Sequence, residues 1–261
     1  MQKSFTENKF KEILDNLDIK KNDKILVNSN TLNLIIKYKD KNLPSKILNN
    51  LIEKISPEGT LLLPTYNWGF CSGLNYDFLN TKSVTGALGN LSLNNKDFVR
   101  SKNPIYSFSI YGKNKNEIAE LNHYSCFSLD SPFGYLIKNK GKNLFIDLDY
   151  KDALTFVHVA EENVGVSYRY HKKFSGKYID KNRVEKIKDF EMYVRKEDKA
   201  SGTLIDKKFD DKLLEKKALK KISYNNIIFS VVDIQIAYNL MIEDIKFNQG
   251  LIRPILDKSH D

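Results

Sequence analysis

An apolar run at residues 143–148 (NLFIDL) leads into a segment, residues 152–176 (DALTFVHVAEENVGVSYRYHKKFSG), that sets His158 and Glu161 three residues apart. The run has the length and composition of a buried strand, and positions i and i+3 of a helix lie on one face. A strand that delivers a helix start carrying titratable side chains is one way α/β folds build a site at the carboxyl ends of their strands. The spacing by itself also fits a surface pair, so the rest of the chain decides between the two.

The same rhythm recurs upstream. Residues 5–17 carry Phe10, Ile13, Leu14 and Leu17 at helical spacing, and residues 23–28 (DKILVN) read as a short buried strand. That strand ends in Ser29, Asn30 and Thr31, before a helical pattern from Leu32. Small polar residues between a strand and a helix start suit an anion, because free N–H groups and the helix dipole converge there. They also suit an ordinary helix cap. Residues 44–55 form a second amphipathic helix, 56–59 (SPEG) a turn, and 60–63 (TLLL) a strand closed by Pro64. Beyond it come Thr65, Tyr66, Asn67 and Trp68, the single tryptophan, readable as a ligand wall or as a buried aromatic corner.

Further on, residues 71–85 read as a loop, 86–94 as a short helix, 105–111 as a strand holding Ser107, and 129–134 (LDSPFG) as a turn before a short helix at 135–139. Strand-like runs at 184–194 and 224–232 flank a charged region, and 234–245 reads as a closing amphipathic helix. With 261 residues, 41% of them hydrophobic, and 15 Phe and 14 Tyr, the chain suits one large α/β domain over residues 1–261. Its C-terminal part, 177–261, is legible only by its strand–helix rhythm.

Composition excludes several classes. Two cysteines, Cys71 and Cys126, make neither a disulfide framework nor a CxxC site, and a reducing cytoplasm is the expected location. The N-terminal segment is mixed in charge and lacks the apolar core of a signal peptide. No window approaches ~18 consecutive apolar residues, so no membrane span is expected. The formal charge of +9 arises from lysines scattered along the chain, with no basic stripe, no zinc spacing and no nucleic-acid module. It favours small anionic ligands over nucleic acid, and no metal is expected.

The order of the motifs is more specific than any one of them. VNSN at 27–30, PEGTLLLPT at 57–65, GAL at 86–88, RSKNPIYS at 100–107, SPFG at 131–134 and HVAE at 158–161 follow one another as in the aminoglycoside 3-N-acetyltransferases. The chain resembles that family over roughly residues 20–176. The resemblance implies a three-layer α/β/α sandwich around a mixed sheet, acetyl-CoA as co-substrate, and direct transfer to an amine with no acyl-enzyme. It makes His158 the general base, with Glu161 orienting it or binding the acceptor. Ser29, Asn30, Thr31, Thr65, Ser107, Ser131 and Pro132 are then expected along the coenzyme tunnel. Tyr66, Trp68, Asp152 and Glu161 are expected at the acceptor.

The chain departs from the family pattern where Asn28 stands for a histidine and Ser167 for a proline. His171 is expected to be structural or peripheral, and His123 and His260 to lie at the surface. Because a polycationic aminoglycoside calls for an acidic cleft, the basic charge favours an amino sugar linked to a nucleotide, acetylated for surface-glycan assembly. Aminoglycoside resistance is the alternative, and a non-catalytic protein that holds CoA or a sugar nucleotide is a further one. The sequence leaves a homo-oligomer open.

Overall fold

The computed structural model describes residues 6–255, so Phe5 and His260 lie outside the described residues. In chain order it runs α1 (Glu7–Asn16), β1 (Lys24–Ser29), α2 (Thr31–Tyr38), α3 (Leu43–Ile55) and β2 (Thr60–Pro64). A 3₁₀ turn (Gly69–Ser72) then precedes β3 (Tyr76–Asp77), α4 (Ala87–Leu93), β4 (Val99–Arg100), β5 (Phe108–Gly112), α5 (Lys115–Ala119) and α6 (Pro132–Lys138). Next come β6 (Lys142–Ile146), α7 (Tyr150–Ala153), α8 (Val157–Val164), and a long hairpin of β7 (Arg169–Ile179) and β8 (Glu185–Arg195). The chain closes with β9 (Gly202–Ile205), α9 (Phe209–Glu215), β10 (Leu219–Tyr224), β11 (Ile227–Asp233), α10 (Ile234–Lys246) and β12 (Ile252–Ile255).

Seven strands form the central sheet in the order β10-β11-β6-β1-β2-β5-β4, parallel at its centre (β6-β1-β2) and antiparallel on both flanks. Side chains alternate across a strand, and here the alternation feeds two cores. Ile25 and Val27, Leu61 and Leu63, and Leu144 and Ile146 face α1 to α4; Leu26, Leu62 and Phe145 face the layer of α5, α6, α8 and α10. The expected three-layer α/β/α sandwich around a mixed sheet is therefore what the chain forms. Its three parallel strands end together at Ser29, Pro64 and Ile146.

The elements read from the sequence fall close to their places up to residue 164. The hairpin differs: β7 occupies a stretch with no apolar alternation, since most of Tyr170–Lys173 is exposed. An eleven-pair ladder with β8, from Arg169↔Arg195 to Ile179↔Glu185, holds it instead of a buried face. The 71–85 loop carries β3, which adds to this hairpin through Tyr76↔Tyr178. The charged region between the strand-like runs contains β9 and α9, and β9 pairs with β12. Among the described residues no helix is long and apolar enough to cross a membrane.

Candidate active site

The first turn of α8 places His158, and Glu161 follows on the same helical face. The helix ends at Gly165, whose φ of 76° is a left-handed cap that glycine adopts without strain. That stop turns the chain at once into β7, which folds back over Glu161.

Glu161 is fully buried, and both oxygens of its carboxylate have partners. His158 Nδ1 lies 2.6 Å from Oε2, and the Arg169 guanidinium pairs with the same oxygen at 2.7 Å. Oε1 accepts from the Tyr168 hydroxyl at 2.8 Å and from Thr203 Oγ1 at 2.6 Å. Thr203 in turn accepts from Arg169 Nη2 at 2.9 Å, and Arg169 Nη1 donates to the Tyr193 carbonyl at 3.2 Å. Burial alone would raise the Glu161 carboxyl; the His158 contact, the Arg169 charge and the Thr203 hydroxyl outweigh it and hold it below the usual carboxylate range. Burial, then the negative charge of Glu161, keeps the Tyr168 phenol protonated as a donor.

An ionised carboxylate only accepts hydrogen bonds. His158 must therefore donate from Nδ1, and in the neutral imidazole the lone pair is then on Nε2. The ring edge rests against Phe127, with centroids 5.0 Å apart, and His158 borders a cavity of about 770 Å³. Asp152, Thr155 and Thr203 line the same cavity.

A second, narrower cavity of about 270 Å³ lies at the carboxyl ends of β1 and β2. Ser29, Tyr66 and Trp68 line it with Gly86 and Gly89 of the α4 start. The glycine is required there, because a Cβ on Gly89 would stand 2.3 Å from the Pro64 carbonyl oxygen. Tyr106, Ala153 and Thr155 border both cavities, so the two meet within one turn of His158. Burial pushes the Tyr106 phenol up to about 12, so it too stays protonated.

A model of the aminoglycoside 3-N-acetyltransferase family matches residues 38–244. The chain belongs to that family. It is thereby an acetyl-CoA-dependent N-acetyltransferase, and two cavities that share a wall at Tyr106, Ala153 and Thr155 suit a reaction of two substrates. No curated protein matches it. Among solved structures it is similar to AAC-VIa bound to sisomicin, with a TM-score of 0.77, 14% identity, and 94% of this chain and 99% of that one covered. AAC-IIIb in a binary complex with CoASH gives a TM-score of 0.76 at 15% identity, covering 94% and 98%. YokD from Bacillus subtilis gives 0.76 at 19%, covering 95% and 96%. At these identities the likeness is one of fold.

The structure sorts the family positions of the acetyltransferase into wall and support. Ser29 is in the narrow cavity's wall, whereas Asn30 caps α2, its side chain accepting from Asn33 N at 3.3 Å, and Thr31 is buried in the first turn. Thr65 and Ser107 are fully buried and bonded to each other, Oγ1 to Oγ at 2.8 Å. Buried Arg100 organises them, donating from Nε to Ser107 Oγ at 3.2 Å and from Nη2 to the Thr65 carbonyl at 3.3 Å. Ser131 caps α6 and Pro132 begins it, both buried. The side-chain hydroxyls of Thr65, Ser107 and Ser131 are thus all engaged in hydrogen bonds within the fold.

Tyr66 and Trp68 border the narrow cavity rather than the larger one that holds Asp152 and His158. Asn28 donates to the Ala153 carbonyl at 3.0 Å and so braces the shared wall. His123, expected at the surface, is buried, with Nδ1 2.8 Å from the Ser125 carbonyl. His171 is half-exposed and pairs with Glu191 at 2.5 Å. Arg169, Tyr168 and Thr203 were not singled out in the sequence. Nothing local marks Thr203. Among the described residues no cluster of His, Cys, Asp or Glu is arranged to hold a metal.

Proposed function

We propose that this acetyltransferase moves an acetyl group from acetyl-CoA directly to the amine of an amino sugar, with His158 as general base and Glu161 as its orienting partner. The observation that carries this reading is the His158–Glu161 pair, with His158 on the wall of the larger cavity and the smaller one opening onto Thr155, one helical turn away. The narrow, glycine-floored cavity suits the pantetheine arm, with Ser29 in its wall; the larger one suits the acceptor, with Asp152 beside it. The amine nitrogen attacks the thioester carbon as His158 Nε2 takes its proton. The N–C bond forms, the C–S bond breaks, and the proton passes on to the departing CoA thiolate. Tyr106 and Thr155, on the wall common to both cavities, are the hydroxyls this reading assigns to the charge that develops on the thioester oxygen.

An aminoglycoside is the acceptor class that the comparisons favour, since the family model bears that description and a similar structure is named with sisomicin. A nucleotide-linked amino sugar for glycan assembly is the second reading. The charge of +9 favours it, because a polycation gains nothing from a basic protein. The use of acetyl-CoA suits a reaction in the cytoplasm. Thiol release from acetyl-CoA is the test, with sisomicin and with a nucleoside-diphosphate amino sugar as acceptors. Turnover with either supports N-acetylation and names the acceptor class; release with neither, from a protein that binds acetyl-CoA, overturns it.

A further inference from the structure

One oxygen of the buried carboxylate serves two residues. Glu161 Oε2 stands 2.6 Å from His158 Nδ1 and 2.7 Å from Arg169 Nε. Arg169 Nε makes no hydrogen bond, so its contact with Oε2 is one of charge, and the oxygen is left to accept from His158. Bonds from Nη1 to the Tyr193 carbonyl and from Nη2 to Thr203 Oγ1 fix the guanidinium in place. The Arg169 and Glu161 side chains are both buried, so salt and solvent screen the pair weakly.

A buried carboxylate beside an imidazole favours the protonated ring, and a protonated histidine cannot take a proton from an amine. Arg169 opposes that pull. Its permanent charge offsets the charge of Glu161, so the carboxylate still orients the ring through Nδ1 while holding a second proton on it less strongly. Among the described residues Arg169 is the one permanent cation within ion-pair distance of Glu161. The other charged groups at the His158 cavity are of both signs: Lys151 and Asp152 on α7, Lys172 on β7, and residues 195–198 (RKED) at the end of β8. Lys151 is paired with Asp149 and Asp210, and Arg195 is the ladder partner of Arg169. Burial raises the phenols of Tyr106, Tyr168 and Tyr193, so these neighbours stay neutral.

We infer that Arg169 is a positioning residue for the acetyl transfer: by sharing Glu161 Oε2 with His158, it keeps the imidazole available as a base at lower pH than Glu161 alone would allow. This rests on the amine-acetylation reading and adds a residue to it, whichever amine is the acceptor. Arg169 acts through Glu161 and need not touch either substrate.

Two measurements on the full chain test this. An NMR titration of the histidine Cε1–H signals, with no acceptor present, reads the charge of His158 directly, its signal assigned through His158→Asn. Arg169→Met removes the cation and leaves Glu161 with His158, Tyr168 and Thr203 as donors. The expected result is a midpoint about one pH unit above the parent's, and a smaller rise in Arg169→Lys, which keeps a cation. The kcat for CoA release, with sisomicin or a nucleoside-diphosphate amino sugar, whichever the parent acetylates, should then fall roughly tenfold at pH 6 and little at pH 9. Arg169→Gln, which keeps donors for the Tyr193 carbonyl and Thr203, serves if Arg169→Met does not fold. A midpoint unmoved in a folded variant, or a kcat lowered equally at both pH values, overturns the inference; the second is the mark of a purely structural residue. An unmoved midpoint in an enzyme that still releases CoA would leave the acetyl transfer standing. A raised midpoint in a protein that acetylates neither acceptor would do the reverse.

Discussion

Glu161→Gln changes one atom of the carboxylate and reverses the hydrogen-bond logic around it. Two hydroxyl donors, Tyr168 and Thr203, converge on Oε1 and fix the amide oxygen there. The amide NH₂ must then occupy the Oε2 position, facing His158 Nδ1 and the Arg169 guanidinium. To meet a donor, Nδ1 gives up its proton, and the imidazole hydrogen moves to Nε2, where it blocks the base. The loss expected in kcat is that of general-base catalysis, ~10²–10⁴-fold. Buried Arg169 meanwhile loses its counter-charge, and removing one partner of a buried pair costs about 3–5 kcal/mol. Urea unfolding followed by tryptophan fluorescence reads the second number, and CoA release at saturating acetyl-CoA, on protein shown to be folded, reads the first. A variant with kcat within about threefold of the parent, or with stability within about 0.5 kcal/mol, would refute the tautomer and charge-pair argument.

Other consequences follow from the same geometry. Thr203→Val keeps the side-chain shape and removes a hydroxyl bonded to both Glu161 and Arg169, so it should cost about 1.5–3 kcal/mol, read as a lower urea midpoint; an unchanged midpoint would detach β9 from the site. The depressed Glu161 carboxyl contributes stability that is full above its ordinary 4.5 and is lost as pH falls through its lower folded value. The Glu161 carboxyl therefore gives no reason for the stability gap between the parent and Glu161→Gln to close above 4.5; it should narrow only below that, and a gap that closes above pH 5 would contradict the direction assigned. Gly89→Ala drives a methyl into the Pro64 carbonyl and should cost about 1–3 kcal/mol while raising the KM for acetyl-CoA; wild-type stability and KM would mean that the narrow cavity is not the coenzyme's.

The sheet was legible wherever apolar residues alternate or run together. Ile25 to Val27, Leu61 to Leu63 and Leu144 to Ile146 announce strands because each serves two cores at once. His158 and Glu161 were legible because an i, i+3 spacing needs only one helix to bring them together. The hairpin was not, since β7 is held by its ladder to β8 and exposes most of its first half. Thr203 lies 42 residues from the carboxylate it donates to, and no local pattern encodes such a contact. The tunnel expected at Thr65, Ser107 and Ser131 shows the converse. Family motifs mark positions without giving their partners, and here the hydroxyls of Ser107 and Thr65 bond to each other, Arg100 donates to Ser107, and Ser131 caps α6. His123 was placed at the surface because nothing in HYSC shows that residues 123–127 tuck under the hairpin, where Cys126 N bonds to the Glu191 carbonyl.

The central claim is that His158 Nε2 takes the proton of the attacking amine. Its most direct test is His158→Asn, assayed for CoA release over pH 6 to 9 alongside acetyl-CoA affinity by calorimetry. Turnover lowered ~10²–10⁴-fold with acetyl-CoA affinity retained is the predicted result. Turnover equal to the parent's, with the same pH profile, would contradict it.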